Sequence, residues 1–128
     1  MSFKRFEDIK AWQLSRTFSK EIYIKFTEKP KSYFGVINNQ IIRASGSIMD
    51  NIAEGFERGG NKEFLQYLWI AKASAGECRS QIYRAYDLSL ITESEFEGFK
   101  CKTEEISRTI YGLIKSIKDS EFKGQKYK

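Results

Sequence analysis

The chain has 128 residues, of which 22 are Lys or Arg and 17 are Asp or Glu, for a net charge of +5. Hydrophobic residues make up 41% and aromatics 15%, enough to fill the core of one domain and too much for a disordered chain. There is no His, which excludes Ser-His-Asp and Cys-His nucleophile systems, HExxH metalloproteases, His-ligated haem and Glu-x-x-His di-iron bundles.

The first helix is expected over residues 6–27. Ala11, Leu14, Phe18, Ile22 and Phe26 recur at three- and four-residue spacing, which is helical periodicity. The N-terminus, Met1-Ser-Phe-Lys-Arg-Phe-Glu-Asp8, holds acids and no apolar run, so it does not read as a signal peptide. Arg16 and Lys20 sit one turn apart, with Lys10, Lys25, Lys29 and Lys31 nearby. Lys29-Pro30-Lys31-Ser32 ends the helix, because Pro disfavours helix at the residue before it.

The second helix is expected over residues 33–58 and stops at Gly59-Gly60. Ile37, Ile41, Ile48, Ile52 and Phe56 form a wide apolar face. Beside it runs a polar stripe of Gln40, Arg43, Ser47, Asn51 and Glu54, sharing an arc of roughly 80°. Ser74 and Glu77 add two more polar groups one turn apart on the third helix. The stripe has three readings. It is an ordinary solvent-facing stripe, or a buried network between helices or subunits, or a catalytic acid–base pair. In the network reading Arg43 pairs a carboxylate such as Glu54 or Glu77 and fixes register or oligomer state. The catalytic reading has the least behind it, since carboxylates alone are a weak signal for chemistry.

The third helix is expected over residues 61–88, with Asn61 as its N-cap. Phe64, Leu68, Ala71, Ala75, Cys78, Ile82 and Ala85 repeat with heptad spacing. The small residues of this seam let a neighbouring helix approach closely, or mark a subunit contact. Cys78 on the seam reads as a small core hydrophobe, and Cys101 as a partly exposed free thiol.

The fourth helix is expected over residues 92–118. It opens with Thr92-Glu-Ser-Glu95, the pattern of a capping box, and repeats Phe96, Phe99, Thr103, Ile106, Ile110, Leu113 and Ile117. Lys100, Arg108, Lys115 and Lys118 fall within an arc of roughly 80° away from that seam, with Tyr111 and Glu104 among them. Cations along a rigid helix can track phosphates, and an aromatic between them can stack on a base. The plainer reading is a solvated helix face. Residues 119–128 form a basic tail that reads as a fraying terminus.

Four long helices with short links make an all-α, antiparallel, up-and-down four-helix bundle, one domain over residues 1–128. No stretch approaches the ~18 apolar residues of a membrane span. Two cysteines without CxxC spacing point to a reduced, cytoplasmic protein.

Two runs resemble a known family. They are Asn39-Gln-Ile-Ile-Arg43-Ala-Ser-Gly-Ser47-Ile-Met-Asp-Asn51-Ile-Ala-Glu54-Gly55-Phe56 and Phe64-Leu-Gln-Tyr-Leu-Trp-Ile-Ala71-Lys-Ala-Ser74-Ala-Gly-Glu77. With Phe6-Glu-Asp-Ile-Lys-Ala11-Trp12-Gln13, they are similar to proteins encoded in intervening sequences of bacterial 23S ribosomal RNA genes. The resemblance covers roughly residues 5–118. Gly46, Met49 and Ala73 depart mildly from the family pattern. The resemblance implies closed rings, typically of five subunits, with no established enzyme activity, catalytic residue, metal or cofactor. A relative in diversity-generating retroelements is a basic accessory protein that binds a reverse transcriptase and nucleic acid. By resemblance, Arg43, Ser47, Asn51, Glu54, Ser74 and Glu77, with Gln40 on the same stripe, hold helices or subunits together.

The expectation is a non-enzymatic homo-oligomer, a pentamer by resemblance, that binds RNA through Arg16, Lys20, Lys100, Arg108, Tyr111, Lys115 and Lys118. Its rivals are a scaffold that docks a partner enzyme such as a reverse transcriptase, and an enzyme using Glu54 or Glu77.

Overall fold

A computed structural model describes residues 3–28 and 35–126. Its helices are α1 (Lys10–Phe26), α2 (Gly35–Glu57), α3 (Asn61–Asp87) and α4 (Glu93–Lys126), preceded by a 3-10 turn at Phe6–Asp8. There is no strand among the described residues. The stop expected at Lys29–Ser32 lies outside the described residues, as does the expected start of the second helix at Tyr33.

Each helix packs against the next in sequence, α2 most extensively on α3, and α1 closes the bundle with a lighter contact on α4. The pairings run antiparallel. Gln40 of α2 meets Arg84 of α3, Ser47 meets Ser74, and Arg58 just past α2 meets Tyr67, so the partner number falls as the residue number rises. On the other flank Tyr83 of α3 packs on Phe96 of α4, and Trp69 on Tyr111. Between α1 and α4, Lys25 pairs with Glu95, and Glu21 with Lys102. This is the expected up-and-down bundle.

Most of the expected apolar stripes form the core; Leu14, Ile37, Phe56, Phe99 and Leu113 are half-buried, and Ile114, off the expected α4 stripe, is fully buried. All seven residues of the α3 seam are buried, as are Phe18, Ile22, Ile41, Ile48, Ile52, Ile106, Ile110 and Ile117 from the other helices. The small α3 seam and Gly55 bring α2 and α3 close together. A Cβ on Gly55 would overlap the Cβ of Tyr67 and lie 3.2 Å from the Phe64 ring. The three buried hydroxyls, Ser15, Ser45 and Thr103, each donate to a carbonyl one turn back in their own helix, so none is left unpaired.

Three boundaries differ from expectation. The first helix does not run from residue 6. Ile9 is extended (φ −78°, ψ 120°) and separates the 3-10 turn from α1, while its side chain is fully buried. Burial of Ile9 and the edge-on contact of Phe6 with Trp12, 5.1 Å between centroids, fold the turn back over the bundle end. The Gln13 amide donates to the Glu7 carbonyl at 2.8 Å and ties that turn to α1. The N-cap of α3 is Gly60, not Asn61; Asn61 is already helical, and the Phe64 amide bonds the Gly60 carbonyl at 3.0 Å. The fourth helix continues past residue 118 to Lys126, because no Pro interrupts it, so most of the expected frayed tail is helical. Its start is as expected. The Glu95 amide bonds Thr92 Oγ1 at 3.1 Å, and the Thr92 amide bonds Glu95 Oε1 at 2.8 Å, closing the capping box.

Candidate functional site

The α2–α3 flank carries a polar groove of about 460 Å³ lined by Gln40, Arg43, Ala44, Ser47, Ser74, Glu77 and Gln81. Ser47 Oγ and Ser74 Oγ lie 3.0 Å apart across the helix pair. The Asn51 amide donates both to the Ser47 carbonyl, at 2.8 Å, and to its hydroxyl, at 2.9 Å. That leaves the Ser47 proton free for Ser74. At one end Arg84 donates to Gln40 Oε1 at 3.3 Å. At the other, Glu54 pairs with Arg58 at 3.7 Å, one turn along its own chain, and not with Arg43. Arg43 and Glu77 are exposed and make no ion pair among the described residues, so neither Glu54 nor Glu77 forms the expected bridge with Arg43. Gln81 Oε1 is buried at the groove and has no hydrogen-bond partner among the described residues. The groove therefore offers an acceptor, a guanidinium and a carboxylate to an incoming surface.

The α3–α4 flank is chemically different. Trp69 of α3 is 42% exposed and Tyr111 of α4 45% exposed, their rings edge to face at 6.2 Å. The Lys118 ammonium lies 5.5 Å from the Trp69 ring centroid. Further along, Tyr83 packs edge-on against Phe96 at 4.9 Å, and Tyr86 stacks on the same ring at 4.6 Å. The Lys100 ammonium sits 5.8 Å from the Tyr83 ring, and the Tyr83 hydroxyl beside it raises the ammonium's pKa. Arg108 and Lys115 are exposed and carry no ion pair among the described residues. The five expected α4 residues thus share one flank with aromatics supplied by α3.

Arg16 and Lys20 do not join them. Glu21 and Lys25, with Phe18 and Phe26, face α4, and Arg16 and Lys20 lie about 140° from Glu21 and Lys25 around α1. They line a separate groove with Trp12, Gln13 and Thr17, where the Arg16 guanidinium sits 5.7 Å from the Trp12 ring.

Several of these contributors were not singled out from sequence. Gln81 continues the Ser74–Glu77 stripe by one turn, a signal that was available. Trp69 and Tyr83 carried none, because only helix pairing sets them beside Tyr111 and Lys100. Cys78 is fully buried, and that burial, with Glu77 close by, pushes its thiol up to about 12; Cys101 is exposed, and both are free. Among the described residues no group of three or more Cys, Asp or Glu is placed to hold a metal, and no helix is long and apolar enough to cross a membrane.

The family described as 23S rRNA-intervening sequence protein matches residues 7–112. A crystal structure of a protein of unknown function from the S23 ribosomal protein family of Bacteroides thetaiotaomicron VPI-5482 superposes with a TM-score of 0.75 at 27% identity. The match covers 82% of this chain and 95% of that one. No curated protein matches the chain.

Proposed function

The chain belongs to the family of 23S rRNA-intervening sequence proteins, and from that premise we propose that it is a non-enzymatic, homo-oligomeric, cytoplasmic protein that binds RNA through its α3–α4 flank. One observation carries this reading. Arg108 and Lys115, unpaired and exposed, share an arc of α4 with Lys118, which sits over an exposed indole. Such cations neutralise phosphates and release counterions, with little dependence on sequence.

The α2–α3 groove supports self-association. The unpartnered Gln81 acceptor, Arg43 and Glu77 lie on the same side as exposed Ile70, which shares the α3 arc of Ser74 and Gln81. In a ring of five, each groove would receive a neighbouring copy and the charge would reach 5 × 5 = +25. A field of that size draws RNA from a distance. Exposed Ile70 beside the groove also favours a second reading, a scaffold that docks a partner enzyme such as a reverse transcriptase.

The test is binding of nuclease-treated protein to a labelled structured RNA over a salt series, with native mass recorded on the same sample. Log affinity is expected to fall linearly with log salt, by about 0.7–0.9 per phosphate contacted. Arg108→Glu with Lys115→Glu is expected to abolish binding while the mass holds. Negligible binding at low salt by an intact oligomer would sink the RNA reading and leave the scaffold.

A further inference from the structure

Resting on the RNA reading above, we propose that the α3–α4 flank is a stacking platform for unpaired nucleotides, so that the ligand it selects is single-stranded RNA in loops, bulges or ends and not duplex.

The flank has two aromatic–cation stations. The first is Trp69 with Tyr111 and Lys118. The second is Tyr83 and Tyr86 around Phe96, with Lys100. Trp69 and Tyr83 are 14 positions apart on α3, a rise of about 21 Å. Because α4 runs antiparallel, Tyr111 and Lys100 fall at the matching ends, and Arg108 lies between them.

Rings this exposed are not filling the core. Trp69 and Tyr83 are each more than 40% accessible, while the seam residues beside them, Leu68 and Ile82, are fully buried. A large aromatic left open beside lysines suits a ligand that has both a π-face and a charge. An unpaired nucleotide has both. A duplex offers its phosphates but hides its base faces in the stack. Lys118 is exposed on a long flexible stem, so its ammonium can move from the indole to a phosphate as a base takes its place. Stacking and phosphate contact by flexible cations read no base edges, so the selection is for strandedness and not for sequence.

The test compares a labelled unpaired oligonucleotide with a fully paired duplex of equal length, using the full chain and its Trp69→Leu and Trp69→Phe variants. Trp69 is exposed, so these variants are expected to keep the wild-type melting curve. The wild type is expected to bind the unpaired strand about tenfold tighter than the duplex, with quenching of indole fluorescence. Trp69→Leu should lose that preference and keep its duplex affinity, and Trp69→Phe should retain most of it. Equal affinity of the wild type for both RNAs, or an unchanged preference in Trp69→Leu, overturns the stacking platform and leaves the RNA reading standing. Absence of binding to either RNA at low salt overturns both.

Discussion

The Ser47 hydroxyl of α2 lies 3.0 Å from the Ser74 hydroxyl of α3, and Asn51 clamps Ser47 from one turn further along. This half-buried chain of hydrogen bonds bridges the two most extensively packed helices. Ser47→Ala removes the shared partner of Ser74 and Asn51 and is expected to cost about 1–2 kcal/mol in urea unfolding. Ser74→Ala leaves the Asn51–Ser47 bond in place and should cost about half as much. A double-mutant cycle on the two serines should therefore return a positive coupling; strict additivity would show that the pair does not act as a unit.

Glycine positions on α2 should respond in opposite directions. Gly55→Ala drives a methyl into Tyr67 and Phe64, and is expected to destabilise by about 1–3 kcal/mol or to part the two helices. Gly46→Ala meets nothing within 4 Å and should stabilise by about 0.5–1 kcal/mol through helix propensity. Thermal melts of the two variants check both signs.

The α3–α4 link contains a second conformational test. Ser89 has φ 60°, the left-handed region, and the Leu90 amide reaches back to the Ala85 carbonyl at 2.9 Å. This is the helix-ending motif that glycine normally serves. Ser89→Gly is expected to stabilise by roughly 0.5–1 kcal/mol, and Ser89→Val to destabilise, in the same melts.

The capping box predicts a pH dependence. The Lys25 ammonium, 2.7 Å from Glu95, holds that carboxyl below its ordinary value of 4.5, with the Thr92 amide adding to the effect. A depressed folded-state pKa stabilises above the unfolded value and is lost as pH falls through the folded one. Glu95→Gln should therefore be less stable than wild type at neutral pH, with the gap closing as pH drops below 4.5. The Lys25 pKa is raised, chiefly by the Glu95 hydrogen bond, so its contribution holds below 10.5 and fades above it. Urea midpoints of both proteins across pH give the two curves.

The thiols should differ sharply in reactivity. Cys78, fully buried with its pKa near 12, is expected to resist alkylation at pH 8 in the native protein, while exposed Cys101 reacts. Mass spectrometry should count one modified thiol natively and two in denaturant. Rapid labelling of Cys78 in the native state would mean that the bundle opens locally.

The sequence by itself determined the number of helices, their apolar seams, the Thr92–Glu95 capping box and the burial of Cys78. Each follows from spacing within about one turn, where side chains on one helix face and backbone amides at a helix start act locally. Only the tertiary structure decided that Trp69 and Tyr83 join Tyr111 and Lys100, that Arg84 reaches Gln40, and that Arg16 and Lys20 stand apart from the α4 cations. It also decided that Arg43 pairs with neither Glu54 nor Glu77, and that Ile9 breaks from the helix to bury itself. These depend on how far each helix is rotated and slid against its neighbours. Packing of whole seams sets that rotation, and residues distant in sequence carry no local signal of it.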